Sequence, residues 1–131
     1  MIHFHHYIKD LLPKPPSITT HSIVRIKSFI EIKKTFLTYH SSGFNSTMKK
    51  FCGMDYIVLR KTDNLNMQYS SEWLSLASFT TTTVNGVVKL DKVYRNNTWE
   101  WKAKWLDLLS KDELRYCGYP LTIKGPLNFS N

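Results

Sequence analysis

The dipeptide Asn85-Gly86, set between Val84 and Val87, constrains this chain most. A two-residue hairpin needs positive φ at both central positions, which Asn and Gly tolerate best, so two antiparallel strands are expected to meet here. Asn96-Asn97 can make a second turn. It is followed by TWEWKAKW, in which bulky and polar residues alternate from Thr98 to Trp105. Fixing both turns predicts a three-stranded meander over about 77–105, with Leu90 opposite Ala103, Tyr94 opposite Trp99 and Asp91 opposite Lys102. Trp99, Trp101 and Trp105 then share a face with Phe79, Leu90, Lys92 and Tyr94 and close a core. The other face carries Lys89, Asp91, Val93, Arg95, Glu100, Lys102 and Lys104.

The flanks supply the rest of an α+β fold. In HSIVRIKSFIEIKKTFLTYHSSGF the β-branched start suits a short strand. Phe29, Ile32, Phe36 and Tyr39 repeat at helical spacing, and Gly43 is placed as a terminator, which predicts a helix over roughly 27–40. Asp55–Arg60 reads as a buried strand, and Tyr69–Leu76 as helical or extended. After Trp105 the leucines at 106, 109 and 114 suggest helix, and Ser110-Lys-Asp-Glu113 is a capping box. Either two short helices meet at Ser110, or one starts there and stops by Gly118, before Pro120. Leu121–Lys124 reads as a last strand. At the other end, Ile2–Leu12 is an apolar-aromatic arm stopped by Pro13, Pro15 and Pro16. The expectation is therefore a small single α+β domain over 17–131. Its antiparallel meander packs against one helix from the N-terminal half and another near the C-terminus, and an arm over 1–16 precedes the domain.

Charge narrows the function. The chain of 131 residues carries a formal net charge of +8. Up to Met54 there are eight Lys/Arg against two acidic residues, and all five histidines lie in that part. A one-sided positive field points to a polyanion, with nucleic acid ahead of a membrane surface. No apolar run reaches the length of a membrane span, and MIHFHHYIKDLLPKPP has no secretory cleavage pattern. Cys52 and Cys117 read as reduced thiols. With a residue bias typical of AT-rich coding sequence, these features predict an intracellular protein of the cytoplasm, an organellar matrix or a phage- or virus-infected cell.

Non-catalytic binding to nucleic acid, most naturally RNA in a ribonucleoprotein assembly, follows from the basic half and the charged sheet face. Lys27, Lys33, Lys34, Lys49 and Lys50 would contact phosphates, with Lys89, Arg95, Lys102 and Lys104 extending the surface. A catalytic alternative rests on Asp91 beside Glu100-Trp-Lys102, where two carboxylates can hold a divalent ion and the lysine orients water. With Glu31 from the first helix, these residues resemble the core of the restriction-endonuclease-like PD-(D/E)xK nuclease family, although Asp91 lacks the family's preceding Pro. The resemblance implies metal-dependent cleavage with Mg or Mn. His3 and His5 have the spacing to ligate a metal on one strand face, and His3-Phe-His5 is similar to the His-hydrophobic-His tripeptide of rolling-circle nucleases. Cys52 sits near Lys49 and Lys50, cations that favour a thiolate. No glycine-rich phosphate loop is present. A third reading is a viral or organellar protein-interaction module that docks a protein partner through its N-terminal arm.

Overall fold

The computed structural model describes residues 18–36, 43–63, 72–95, 97–123 and 125–130. Its strands are β1 (Ile23–Ile26), β2 (Asp55–Asp63), β3 (Glu72–Val84), β4 (Val87–Tyr94), β5 (Glu100–Lys102), β6 (Leu106–Leu108) and β7 (Phe129–Ser130). Two short α-helices, α1 (Phe29–Lys33) and α2 (Lys111–Tyr116), join 3-10 helices at Ser46–Phe51 and Ala103–Trp105. The domain is α+β, with a mostly antiparallel sheet of order β6-β1-β2-β3-β4-β7 and β5 alongside β3.

The Asn85-Gly86 turn forms as expected. Both residues have positive φ, at 52° and 77°, and Val84 faces Val87 across it. The third strand departs from the expected register. β5 pairs with β3, through Trp73↔Lys102, Leu74↔Trp101 and Ser75↔Glu100, and leaves β4 alone. Since Tyr94 faces Ser78, β4 and β5 follow one another along a single edge of β3. Arg95 and residues 97–99 form an excursion between β4 and β5, which make no hairpin with each other, and Asn96 of the expected turn lies outside the described residues.

Burial explains the choice. In this position Trp101 and Trp105 are fully buried. The Asn97 carboxamide oxygen pins the excursion by accepting from the Trp99 backbone N–H at 3.1 Å and the Trp101 indole N–H at 3.3 Å. Trp99 itself, expected in the core, is 36% exposed. A second irregularity corrects the faces of β4. Thr80 pairs with Lys92 and Thr81 with Leu90, which makes Asp91 an extra, bulged residue. The bulge moves the alternation by one, so Val93 is buried and Lys92 exposed, the reverse of the expected arrangement.

Of the two arrangements expected after Trp105, the one with a single helix from Ser110 forms, and Leu106–Leu108 is β6, whose backbone groups pair with β1 through Val24↔Leu108 and Ile26↔Leu106. The run 100–108 therefore touches β3 at its start and β1 at its end. With the pairs β1–β2 and β2–β3, it wraps the strands into a half-closed barrel. Inside lie Val24, Ile26, Tyr56, Val58, Leu74, Leu76, Trp101, Trp105 and Leu106, with Ile32 of α1 and Met48 of the first 3-10 helix. The opposite faces of the same strands feed two smaller clusters, Ile23 with Leu109 and Leu114, and Ile57 with Ala77 and Val93.

The helices are shorter than the periodicity suggested. α1 begins after Ser28, whose hydroxyl accepts from the Glu31 N–H at 3.3 Å, and Lys27 is still held by the Trp105 carbonyl at 2.9 Å. Residues 37–42 lie outside the described residues, as does the arm over 1–16 with His3 and His5. Ser110 caps a single helix, α2, which gives way to Gly118 at φ 74°. The last strand is β7, parallel to β4 through Val93↔Phe129, and 121–123 are not extended pairs. No helix among the described residues is long and apolar enough to cross a membrane.

Candidate nucleic-acid interface

The half of the core built from β3, β5, α1 and the first 3-10 helix is aromatic and only partly covered. Phe44 sits at its centre. Its ring centroid is 5.7 Å from Phe29, 6.0 Å from Phe36, 6.0 Å from Trp101 and 5.3 Å from Trp105. Trp73 meets Trp105 at 6.0 Å and 89°, and Phe51 meets Trp101 at 6.1 Å and 86°. These edge-to-face contacts suit the ring quadrupoles. Trp101 and Trp105 are buried beneath, whereas Phe29, Phe36, Phe44, Phe51 and Trp73 are half-buried. Gly43 belongs to this packing, since a Cβ there would stand 2.7 Å from the Trp73 indole.

Cations lie directly on the partly exposed rings. The Lys49 Nζ is 4.2 Å from the Phe29 centroid and the Lys50 Nζ 5.2 Å from that of Phe51. The Lys102 Nζ stands over both Trp73, at 5.3 Å, and Trp105, at 5.5 Å. Such contacts are attractive through the ring quadrupole. Burial, and secondarily the charge of Lys104, pushes the Lys102 amine below the usual lysine range. An ammonium in this position gains from an added anion. Among the described residues, Lys33, Lys34, Lys49, Lys50, Lys102 and Lys104 have no carboxylate within ion-pair distance. Lys27 differs, with Asp107 at 3.7 Å.

A second polar cluster has the opposite character. Arg25 and Asp55 face each other across β1 and β2. The guanidinium donates to both carboxylate oxygens, at 2.7 and 3.1 Å, and the Tyr119 hydroxyl adds a third bond at 2.8 Å. Glu113 lies 3.6 Å from the same guanidinium, and the Cys117 sulfur accepts from it at 3.6 Å. Burial first, and then the bond to Asp55, pushes the Tyr119 hydroxyl up to about 12. The Asp55 hydrogen bond holds the Arg25 proton more tightly than usual. These groups fasten α2 and its following loop to the barrel.

The residues singled out in the sequence therefore divide. Lys49, Lys50 and Lys102 join one aromatic surface. Lys104 is close enough to act on Lys102, and Lys33 belongs to α1 beside Phe29, with Lys34 as its C-cap. Lys89 is exposed on the β3–β4 hairpin, and Arg95 lies over Phe129 at 4.0 Å in the excursion.

The nuclease quartet does not converge. Asp91 is opposite Thr80–Thr81 and Glu100 opposite Ser75, a separation of about 17–20 Å along β3. Glu31 is engaged with Ser28, and Glu100 with Arg60 at 3.8 Å. Among the described residues no three of His, Cys, Asp and Glu gather to hold a metal. At Cys52 burial outweighs the effect of Lys49 and raises the thiol pKa, the reverse of activation. The rings of this surface, Phe29, Phe44, Phe51 and Trp73, were not among the site residues expected from the sequence. The adjacent Lys49-Lys50-Phe51 was the available signal. Comparison of the chain with known families, curated proteins and solved structures finds no match in any of the three.

Proposed function

We propose that this protein binds nucleic acid without transforming it, as an RNA-binding component of a ribonucleoprotein assembly. The supporting observation is the set of lysines that, among the described residues, lack carboxylate partners and lie on or beside partly exposed aromatic rings. This arrangement suits polyanion recognition, because the rings hold the ammonium groups in place while leaving their outer hemispheres to phosphate. Binding is tested by anisotropy of a labelled RNA oligonucleotide across a salt series. Neutralising about four phosphates of a single strand gives a log–log slope near −3. Absence of binding at about 50 mM salt would refute the reading.

A further inference from the structure

We infer that the ligand is single-stranded and that its bases stack on the Phe29–Phe51–Trp73 surface, an inference that rests on the nucleic-acid reading above. A duplex keeps its bases stacked on one another and shows a protein its phosphates and groove edges, so flat rings on the binding surface are idle. A single strand offers free π-faces, and its recognition sites interleave rings with cations. Here the two occur as units. Lys49 is 4.2 Å from Phe29, Lys50 is 5.2 Å from Phe51, and Lys102 is 5.3 Å from Trp73. Each amine now covers a ring face, and a base that takes the face displaces the flexible lysine only as far as its own phosphate.

The units are also connected. Phe29 touches Phe44 at 5.7 Å, and the buried Trp105 links Phe44 to Trp73 from beneath at 5.3 and 6.0 Å. Three cation–ring units joined in this way suit a footprint of about four nucleotides, at the short end of single-strand sites. Two of the three rings are firmly seated, because Phe51 and Trp73 pack edge-to-face against the buried Trp101 and Trp105. A duplex-binding element would be the β3–β4 ribbon, which has the dimensions of a major-groove reader. Its Lys89 and Lys92 are exposed, but they flank Asp91 and are not accompanied by rings over which they lie.

The full chain is titrated with a single strand of about 12 uridines and with a duplex of the same length, at about 50 mM salt. The readouts are oligonucleotide anisotropy and tryptophan emission. The single strand is expected to bind at least about tenfold more tightly and to quench the emission. Phe29→Leu, a change outside the buried core, is expected to weaken single-strand binding by about fivefold or more and duplex binding, which loses only the seat of Lys49, by less than about twofold. Equal or tighter binding of the duplex overturns the inference and leaves nucleic-acid binding standing. So does a folded Phe29→Leu protein with undiminished single-strand affinity and unquenched tryptophan. Failure to bind either oligonucleotide refutes the underlying function instead.

Discussion

Arg25 and Lys102 are cations on strands of the same barrel, and their surroundings use them in opposite ways. Arg25 meets the carboxylate of Asp55 on two bonds, with Tyr119 and Glu113 completing the cluster. Lys102 meets two indoles, with no carboxylate among the described residues. The first arrangement satisfies its charge internally and spends it on holding α2. The second stabilises a charge without neutralising it, which is what the proposed binding surface requires. Partner chemistry, more than charge density, distinguishes the two cations.

Substitutions at each place should separate stability from binding. Asp55→Ala strands the half-buried guanidinium and costs about 2–3 kcal/mol, less than a fully buried pair because Arg25 remains 36% exposed. Chemical denaturation should show that loss, while the folded fraction keeps its oligonucleotide affinity. Gly43→Ala acts on the other region. Its φ of +74° disfavours any Cβ, and the added carbon meets Trp73 at 2.7 Å. The expected loss is about 1–3 kcal/mol, here accompanied by weaker binding as the indole is displaced.

Tyr119 gives the paired cluster a pH signature. Its pKa rises from 10.0 to about 12 on folding, so its contribution is complete below pH 10 and is lost as pH climbs towards 12. Tyr119→Phe should lower stability by about 1–2 kcal/mol at neutral pH and flatten that alkaline decline in denaturation series. Lys102→Met keeps the apolar stem and removes the charge. Stability should change by less than about 1 kcal/mol, whereas affinity falls roughly threefold to tenfold and the salt slope shrinks by about 0.7. At Glu100→Gln, which breaks only the exposed 3.8 Å contact with Arg60, melting should stay within about 0.5 kcal/mol of the parent.

Local chemistry was the legible part of the sequence. Asn85-Gly86 announced its turn, Ser110-Lys-Asp-Glu113 its cap, and Asp55–Arg60 its strand, because each depends on neighbours only a few residues away. The pairing of β5 was hidden, since choosing between β4 and the far half of β3 depends on where two tryptophans find a core. The bulge at Asp91 was equally hidden, and it inverted Lys92 and Val93. For the candidate interface, the lysines were visible as charge. The seats of Lys49 on Phe29 and Lys102 on Trp73 were not, since those rings come from separate stretches of chain; only Lys50 has its ring next to it in sequence.

The return of the run 100–108 to β1 bears on how the chain reaches this state. The β3–β4 hairpin joins neighbours through a two-residue turn and can form within microseconds. Pairing Ile26 with Leu106 instead spans most of the chain, and contacts of such separation slow folding. During synthesis from the N-terminus, β1 must wait with one edge unpaired until β6 has left the ribosome. Over that interval the exposed edge is open to association with other chains, so the yield of native protein depends on how quickly closure follows.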